Sequence, residues 1–309
     1  MDRLQLMMLV AASAMASTFA GCGQKEHTIE VTNPLAKERE GEIVSLDAKE
    51  VTDIYGENFR IVAPDSTEVP WQITYDGQLL FPATVGAGGS IVYTLRGGAS
   101  AAAADYTGVS GPDTIAVDFG LLDANGTPVY MTDVDSVKVL DNGPLRRTVE
   151  LVYSPAVVWA DTAVVQHRVI SVDRGQMLQR NDISYRGLSE SGKTVAGIRM
   201  LQSNISDFTV DNGKHTISYT NMSADSVPLY ITVVAPSNSY PEYRPYPRQK
   251  ADTVAQLMVW LPMDNKKSVS FYVGETLQNT DGIANVYDWD DTMEKETKLI
   301  SSPLKAVLK

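Results

Sequence analysis

Residues 134–153 read VDSVKVLDNGPLRRTVELVY, and the fold class turns on how they are parsed. Two runs rich in β-branched residues, Val134–Leu140 and Arg147–Tyr153, alternate in part between apolar and polar side chains, as a half-buried strand does. Between them stands Asn142-Gly143-Pro144, which bends the backbone and withholds an amide from any ladder. The stretch is strand, turn, strand. Similar short strands lie upstream at His27–Thr32, Phe59–Ala63 and Ser90–Leu95, and downstream at Val164–Val172, Thr216–Thr220, Leu229–Val234, Ala255–Leu261 and Ser268–Val273. Turn residues separate them, among them Asp76-Gly77, Asn125-Gly126, Asp173-Arg174-Gly175, Asp211-Asn212-Gly213 and Asp264-Asn265. This pattern predicts an all-β protein, an antiparallel β-sandwich rather than a chain of βαβ units. One helix is expected, opened by Asp288-Trp289-Asp290-Asp291 and running to about Leu299 before Pro303. A last strand, Leu304–Leu308, then returns to the body.

The N-terminus points to export. Arg3 precedes an apolar run from Leu4 to Ala20, too short and too rich in Ala and Ser to span a bilayer. Phe19-Ala20-Gly21-Cys22 is similar to a lipobox, the site where a bacterial peptidase cuts before a lipidated cysteine. Each buried methylene contributes ~0.8 kcal/mol, and lasting attachment takes two or more acyl chains, so a multiply acylated Cys22 needs no further membrane-binding surface. The expected location is the bacterial cell envelope, as an outer-membrane lipoprotein facing the periplasm or the exterior. Cys22 is the chain's single cysteine, which rules out internal disulfides and cysteine-based zinc cages.

The Ala/Gly-rich break Gly97–Thr114 (GGASAAAADYTGVSGPDT) reads as a linker or long loop. It divides the chain into a leader (1–21), a lipidated tether (22–26), a small N-terminal β unit (27–96), the linker (97–114) and a β-sandwich domain (115–309). The proline- and tyrosine-rich stretch Ser239–Arg248 reads as an exposed loop. With 26 basic against 38 acidic residues and a net charge of −12, the chain lacks the basic cluster that a nucleic-acid partner requires.

Several stretches together resemble one bacterial family. They are VTNPL (Val31–Leu35), EVPWQ (Glu68–Gln72), LLFPATVGAGGSIVYTL (Leu79–Leu95), DNGPLRRTVEL (Asp141–Leu151), HRVISVDRGQMLQR (His167–Arg180) and YDWDDTMEKETKLISSPLKAVL (Tyr287–Leu308). The family is domain of unknown function 4861, similar in pattern to sugar-active proteins built on a galactose-mutarotase-like super-sandwich. The resemblance implies a secreted protein that works beside polysaccharide-degrading enzymes, particularly those acting on uronate-containing glycans. Family members carry a long segment rich in Asp, Glu, Arg, Tyr and Trp after the N-terminal unit. Here Gly97–Thr114 stands in that place, so any active groups of that segment have no counterpart.

Individual residues leave three readings open. Lyase or mutarotase chemistry requires a base and a cation for the sugar carboxylate. The best local set is His167 with Arg180 and Tyr185; strand alternation sends His167 and its neighbour Arg168 to opposite faces. Glycosidase chemistry requires two carboxylates, and Glu150, Asp182 and Asp207 lie in or near strands without a pairing motif. Non-catalytic sugar binding requires aromatic faces and a few polar groups, for which Trp159, Tyr240, Tyr243, Arg244 and Tyr246 are the candidates, with Trp260 expected in the core. No histidine spacing suits a transition metal. No cofactor is implied, although calcium held by loop carboxylates stays open. The three readings are an envelope lipoprotein that binds or helps process uronate-containing glycans, an active polysaccharide lyase or glycoside hydrolase, and a structural lipoprotein with an envelope protein partner. Both sugar readings require a sheet face on which Arg and aromatic side chains converge.

Overall fold

The computed structural model describes residues 27–100, 117–201, 207–223, 225–245 and 253–309. The leader and tether with Cys22, residues 101–114 of the linker, and Tyr246 lie outside the described residues.

The body is an antiparallel sandwich of a nine-stranded sheet against a five-stranded one. In the larger sheet the order runs Val134–Asn142, Arg146–Tyr153, Asp161–Asp173, Leu178–Arg186, Val269–Leu277, Pro228–Val234, Thr216–Met222 and Phe208–Asp211, with the short Ala156–Val158 beside Asp161–Asp173. The smaller sheet runs Tyr240–Pro245, Thr253–Met263, Gly192–Leu201, Asp118–Leu122 and Pro128–Tyr130. Alternation explains how they pack. On the inner face Val164, Ile183, Ile231, Val233, Phe271 and Val273 meet Phe119, Leu121, Leu257 and Val259, all buried. Each such side chain, fully buried, stabilises by roughly 1.5–3 kcal/mol.

Residues 27–97 supply four strands of a five-stranded sheet and all of a three-stranded one, around a separate core that includes Ile29, Phe59, Leu79 and Phe81. The closing strand, Lys305–Leu308, pairs with His27–Thr32 in this unit. The chain's last strand therefore returns to the N-terminal sheet and not to the sandwich. Two further expectations change. A second helix, α1 (Ala48–Tyr55), stands between strands, capped by Asp47 through Lys49 N–H and closed at Gly56. Its eight residues include Val51, Thr52 and Ile54, and so carry little helical signal. The proline-rich stretch supplies the strand Tyr240–Pro245, an edge strand, where a residue without an amide proton is tolerated. The expected C-terminal helix, α2, spans Val286–Ser301 and starts slightly earlier than its acidic run suggests, because Asn285 caps Tyr287 and Asp288.

The turn at 141–146 joins unit to sandwich. Gln72, buried, donates from Nε2 to Arg146 O (2.9 Å), and its Oε1 accepts from Leu145 N (2.9 Å) and Arg146 N (2.8 Å). Gly143 is needed beneath it, since a Cβ there would lie 2.2 Å from the Gln72 amide carbon. Asp141 Oδ1 accepts from Tyr75 N at 2.7 Å. At the other side Arg39 is buried, bridged to Glu42, and donates to the C-terminal carbonyls of α2 at Ser302 (2.6 Å) and Leu299 (3.5 Å).

Gln72→Leu keeps the volume but leaves the Leu145 and Arg146 amides without the oxygen that accepts them, while Arg146 O keeps its bond from Gly143 N. It is expected to destabilise the protein by about 2–4 kcal/mol, read as a lower urea midpoint with an unchanged slope.

Candidate functional site

The face of the nine-stranded sheet turned away from the sandwich core is polar around Arg180 and apolar beneath α2, where Leu178, Tyr230 and Val234 pack with Trp289 and Met293. Register fixes its rows: Thr148 opposite Ser171 and Ser171 opposite Arg180, then Arg180 opposite Tyr272. One residue pair along, Asp182 lies opposite Val169 and Ser270. α2 crosses this face. Its Trp289 indole N–H donates to Thr232 Oγ1 at 2.9 Å, and Gly274 makes room for the ring and for Met293.

Between the end of α2, the N-terminal unit and this face lies a cleft of about 240 Å³. Arg146, Asp173, Arg180 and Tyr272 line it from the sheet, Glu42 from the N-terminal unit and Leu299 from α2. Arg146 binds Asp173 through two contacts (2.5 and 2.8 Å). Arg180 bonds Asp182 (3.0 Å) and Ser270 (3.3 Å), with its side chain 48% exposed. Burial first, and then the carboxylates Asp182 and Asp173, push the Tyr272 hydroxyl up against the opposing pull of Arg180 and Arg146. Tyr75, exposed in the N-terminal unit, does not line the cleft but lies within electrostatic reach of the same ion pair. Its hydroxyl is raised by burial, then by Asp76, Asp182 and Asp141, against Arg180. Both phenols therefore stay protonated at neutral pH as hydrogen-bond donors, and among the described residues neither has a hydrogen-bond partner. Burial raises Glu42 as well, against the stabilising contact from Arg39. Such a cleft presents both donors and acceptors, with a net charge close to balance.

The proposed catalytic set does not converge. His167 sits on this outer face, its Nδ1 3.0 Å from Glu150 Oε1. It is four residues along the strand from Ser171, the cross-strand neighbour of Arg180, which is roughly 13 Å. His167 is not among the cleft's lining residues. Tyr185 belongs to the opposite face. It is buried in the sandwich, donates to Gly120 O at 2.8 Å, and burial pushes its hydroxyl far above the usual range. Arg168 is also inward, as alternation predicts, bonded to Asn181 (2.9 Å) over the Phe119 ring.

The aromatic candidates scatter too. Trp159 donates its indole N–H to Leu122 O (3.0 Å) and packs partly on the core. Tyr240 stacks on Trp260 at 4.4 Å, Tyr243 stacks on Phe208 at 4.9 Å, and Arg244 pairs with Glu242 at 2.5 Å. Trp260 is only partly buried, on the outer face of the smaller sheet, with Lys193 over its ring. Among the described residues no three His, Cys, Asp or Glu side chains gather as a metal-binding group.

Comparison with known proteins places this arrangement. The model for the domain of unknown function DUF4861 matches residues 118–306. The chain belongs to this family. Two solved structures share the fold, both from Enterococcus faecalis. An alpha-mannosidase from strain V583 aligns with a TM-score of 0.53 at 6% identity, over 93% of this chain and 46% of its own. A protein in the glycosyl hydrolase family 38 aligns with a TM-score of 0.56 at 6% identity, over 93% and 48%. This DUF4861 chain thus spans about half the length of each. No curated protein matches it.

Sequence reading singled out Arg180 and its neighbour Asp182 but missed Arg146, Asp173, Tyr272 and Glu42 of the DUF4861 cleft. Arg146 and Asp173 are opposite partners in neighbouring strands. A hairpin register drawn through the Asp173-Arg174-Gly175 turn puts Ser171 beside Arg180, but nothing local marks Glu42, which reaches the cleft from the N-terminal unit.

Glu296, on the α2 face between Met293 and Ile300, has its pKa raised to about 7 by burial first and by Glu42 second. A carboxyl raised in the folded state adds stability below its unfolded pKa near 4.5, and that stability is lost as pH climbs through about 7. Glu296→Gln should match the wild type at pH 4 and exceed it at pH 8 by on the order of 2 kcal/mol, measured by urea unfolding at both pH values.

Proposed function

We propose that this protein is a lipid-anchored envelope protein that binds carbohydrate, and that the cleft around Arg180 holds a uronate-containing glycan. The observation that carries this reading is the half-exposed Arg180 guanidinium opposite the Tyr272 phenol in one cleft. A guanidinium on a sugar carboxylate gives the charge-assisted contact that selects uronates. The protonated phenol donates to ring hydroxyls, while Asp173 and Asp182 accept from them. The names borne by the two structures of like fold, an alpha-mannosidase and a glycosyl hydrolase family 38 protein, support a carbohydrate association. Family membership supports it in the same general way. Binding without turnover suits the separation of His167 and Tyr185 from the cleft.

Calorimetric titration with oligogalacturonates tests the reading. Arg180→Ala should weaken binding about 10- to 100-fold, the loss expected for one charge-assisted hydrogen bond, and Tyr272→Phe should weaken it less. An Arg180→Ala protein that binds as tightly as the wild type removes the proposal.

Anchoring through Cys22 has its own test. Cys22→Ala should move the protein from the detergent-extracted membrane fraction to the soluble fraction and abolish labelling by a fatty acid. Retention in the membrane would refute the anchor.

A further inference from the structure

The inner face of the nine-stranded sheet is not wholly covered by the smaller sheet. Val137 pairs with Leu151 and Val139 with Val149, so both valines turn to the core side, yet they are 64% and 50% exposed. The larger sheet therefore overhangs its partner along the edge strand Val134–Asn142. Alternation sorts the charges of the next three strands between the two faces. Glu150, Asp161, Asp173 and Asp182 all turn outward, whereas Arg147 and Arg168 turn inward. In a chain of net charge −12, this margin receives two guanidinium groups and no acid from those strands. We propose that it binds an oxyanion-bearing saccharide, carboxylated or sulfated, at a site separate from the Arg180 cleft.

Neither arginine is bonded to an acid among the described residues. Arg168, only 7% exposed, donates to Asn181 at 2.9 Å and bonds the Tyr153 hydroxyl, both neutral, against the Phe119 ring. Asp118, whose field reaches it, is held by Arg199 at 3.0 Å. Arg147 forms no hydrogen bond or ion pair among the described residues, and its Nε is buried without a partner. A charge taken out of water without a counter-charge is unfavourable, and an anion entering here offsets that penalty at both places. Neutral groups on the same face have the same need. Gln166 is fully buried, two positions from Arg168, with neither amide atom bonded, and Gln179 Oε1 is also unpartnered. Ordered water or a ligand hydroxyl satisfies such atoms. Guanidinium forks match the paired oxygens of a carboxylate or a sulfate. Arg168 faces Leu151, four residues from Arg147, which is roughly 13 Å along the strand. A ligand that meets both is therefore an oligomer, and the two exposed valines offer apolar surface to its C–H groups.

The inference shares with the Arg180 reading only the premise that the ligand is a saccharide, and it is tested with that cleft weakened. The lipid-free full chain carrying Arg180→Ala is titrated calorimetrically with hexagalacturonate, a sulfated galactan hexamer and the unsulfated galactan hexamer. At least one anionic hexamer should bind tenfold or more tightly than the neutral one. Adding Arg147→Ala should weaken that binding tenfold or more, as loss of a charge-assisted contact does. At the exposed rim, Val139→Glu should weaken it and Val139→Lys strengthen it, each threefold or more, opposite signs that lost packing does not produce. These two variants keep the test sound if Arg147→Ala disturbs the fold. Which anionic hexamer binds tells carboxylate from sulfate. Binding of neither, equal binding of the unsulfated hexamer, or an affinity unchanged by all three substitutions overturns the proposal. The Arg180 reading is decided on the wild type by Arg180→Ala and stands or falls without these outcomes.

Discussion

The contact on which the site depends is one carboxamide. Gln72, reaching out of the N-terminal unit, saturates both ends of its amide on the backbone of the 141–146 turn. A buried amide without partners costs several kcal/mol, so the two units are held at one separation and one rotation. Everything in the first cleft inherits that geometry. Arg146 leaves the turn directly from the residue that Gln72 grips, and Tyr75 is fixed three residues beyond Gln72 by the Asp141 carboxylate. A loose joint would take Glu42 and Ile43 away from the cleft wall.

The second tie works in the same direction from the other side. Arg39 closes the carbonyl end of α2 while bridging to Glu42, so the helix is bound to the unit at its C-terminus and to the sheet through Trp289 at its N-terminus. A helix pinned at both ends across a sheet face leaves openings at both ends. That is why the face carries two clefts, and why their chemistry differs. One is walled by residues of the sheet centre, where cross-strand Arg and Asp meet. The other is walled by the Thr- and Ser-rich strands at the sheet edge, beside the acidic first turns of the helix.

How much of this could be read beforehand depended on range. Alternation is a local property, and along Val164–Val172 it correctly sent His167 and Arg168 to opposite faces. Cap chemistry located α2 to within a few residues, because Asn285 and Asp288 act on their own neighbours. The short α1 was illegible, since its stability comes from burying Val51 and Ala48 against strands and not from propensity. The proline-rich edge strand was misread for a related reason: proline forbids a central position but says nothing against an edge with one free side.

The site was less legible than the fold because it is built from pairings that sequence separation conceals. His167, Arg180 and Tyr185 are close along the chain, and that proximity suggested cooperation; but Tyr185 is an odd number of positions from Arg180, which in a strand means the other face. The parity was readable in advance. The contribution of Glu42 was not, because it requires the N-terminal unit to be held on the sandwich, as by the Gln72 contact across 74 positions to Arg146. Sites formed where two β units meet will share this property: the sheet contributes groups at spacings of two, and the partner unit contributes groups whose place is set only by the joint. For such proteins the informative residue to seek is a buried amide side chain facing a turn, since the turn's unpaired backbone groups need a partner that a neighbouring strand does not supply.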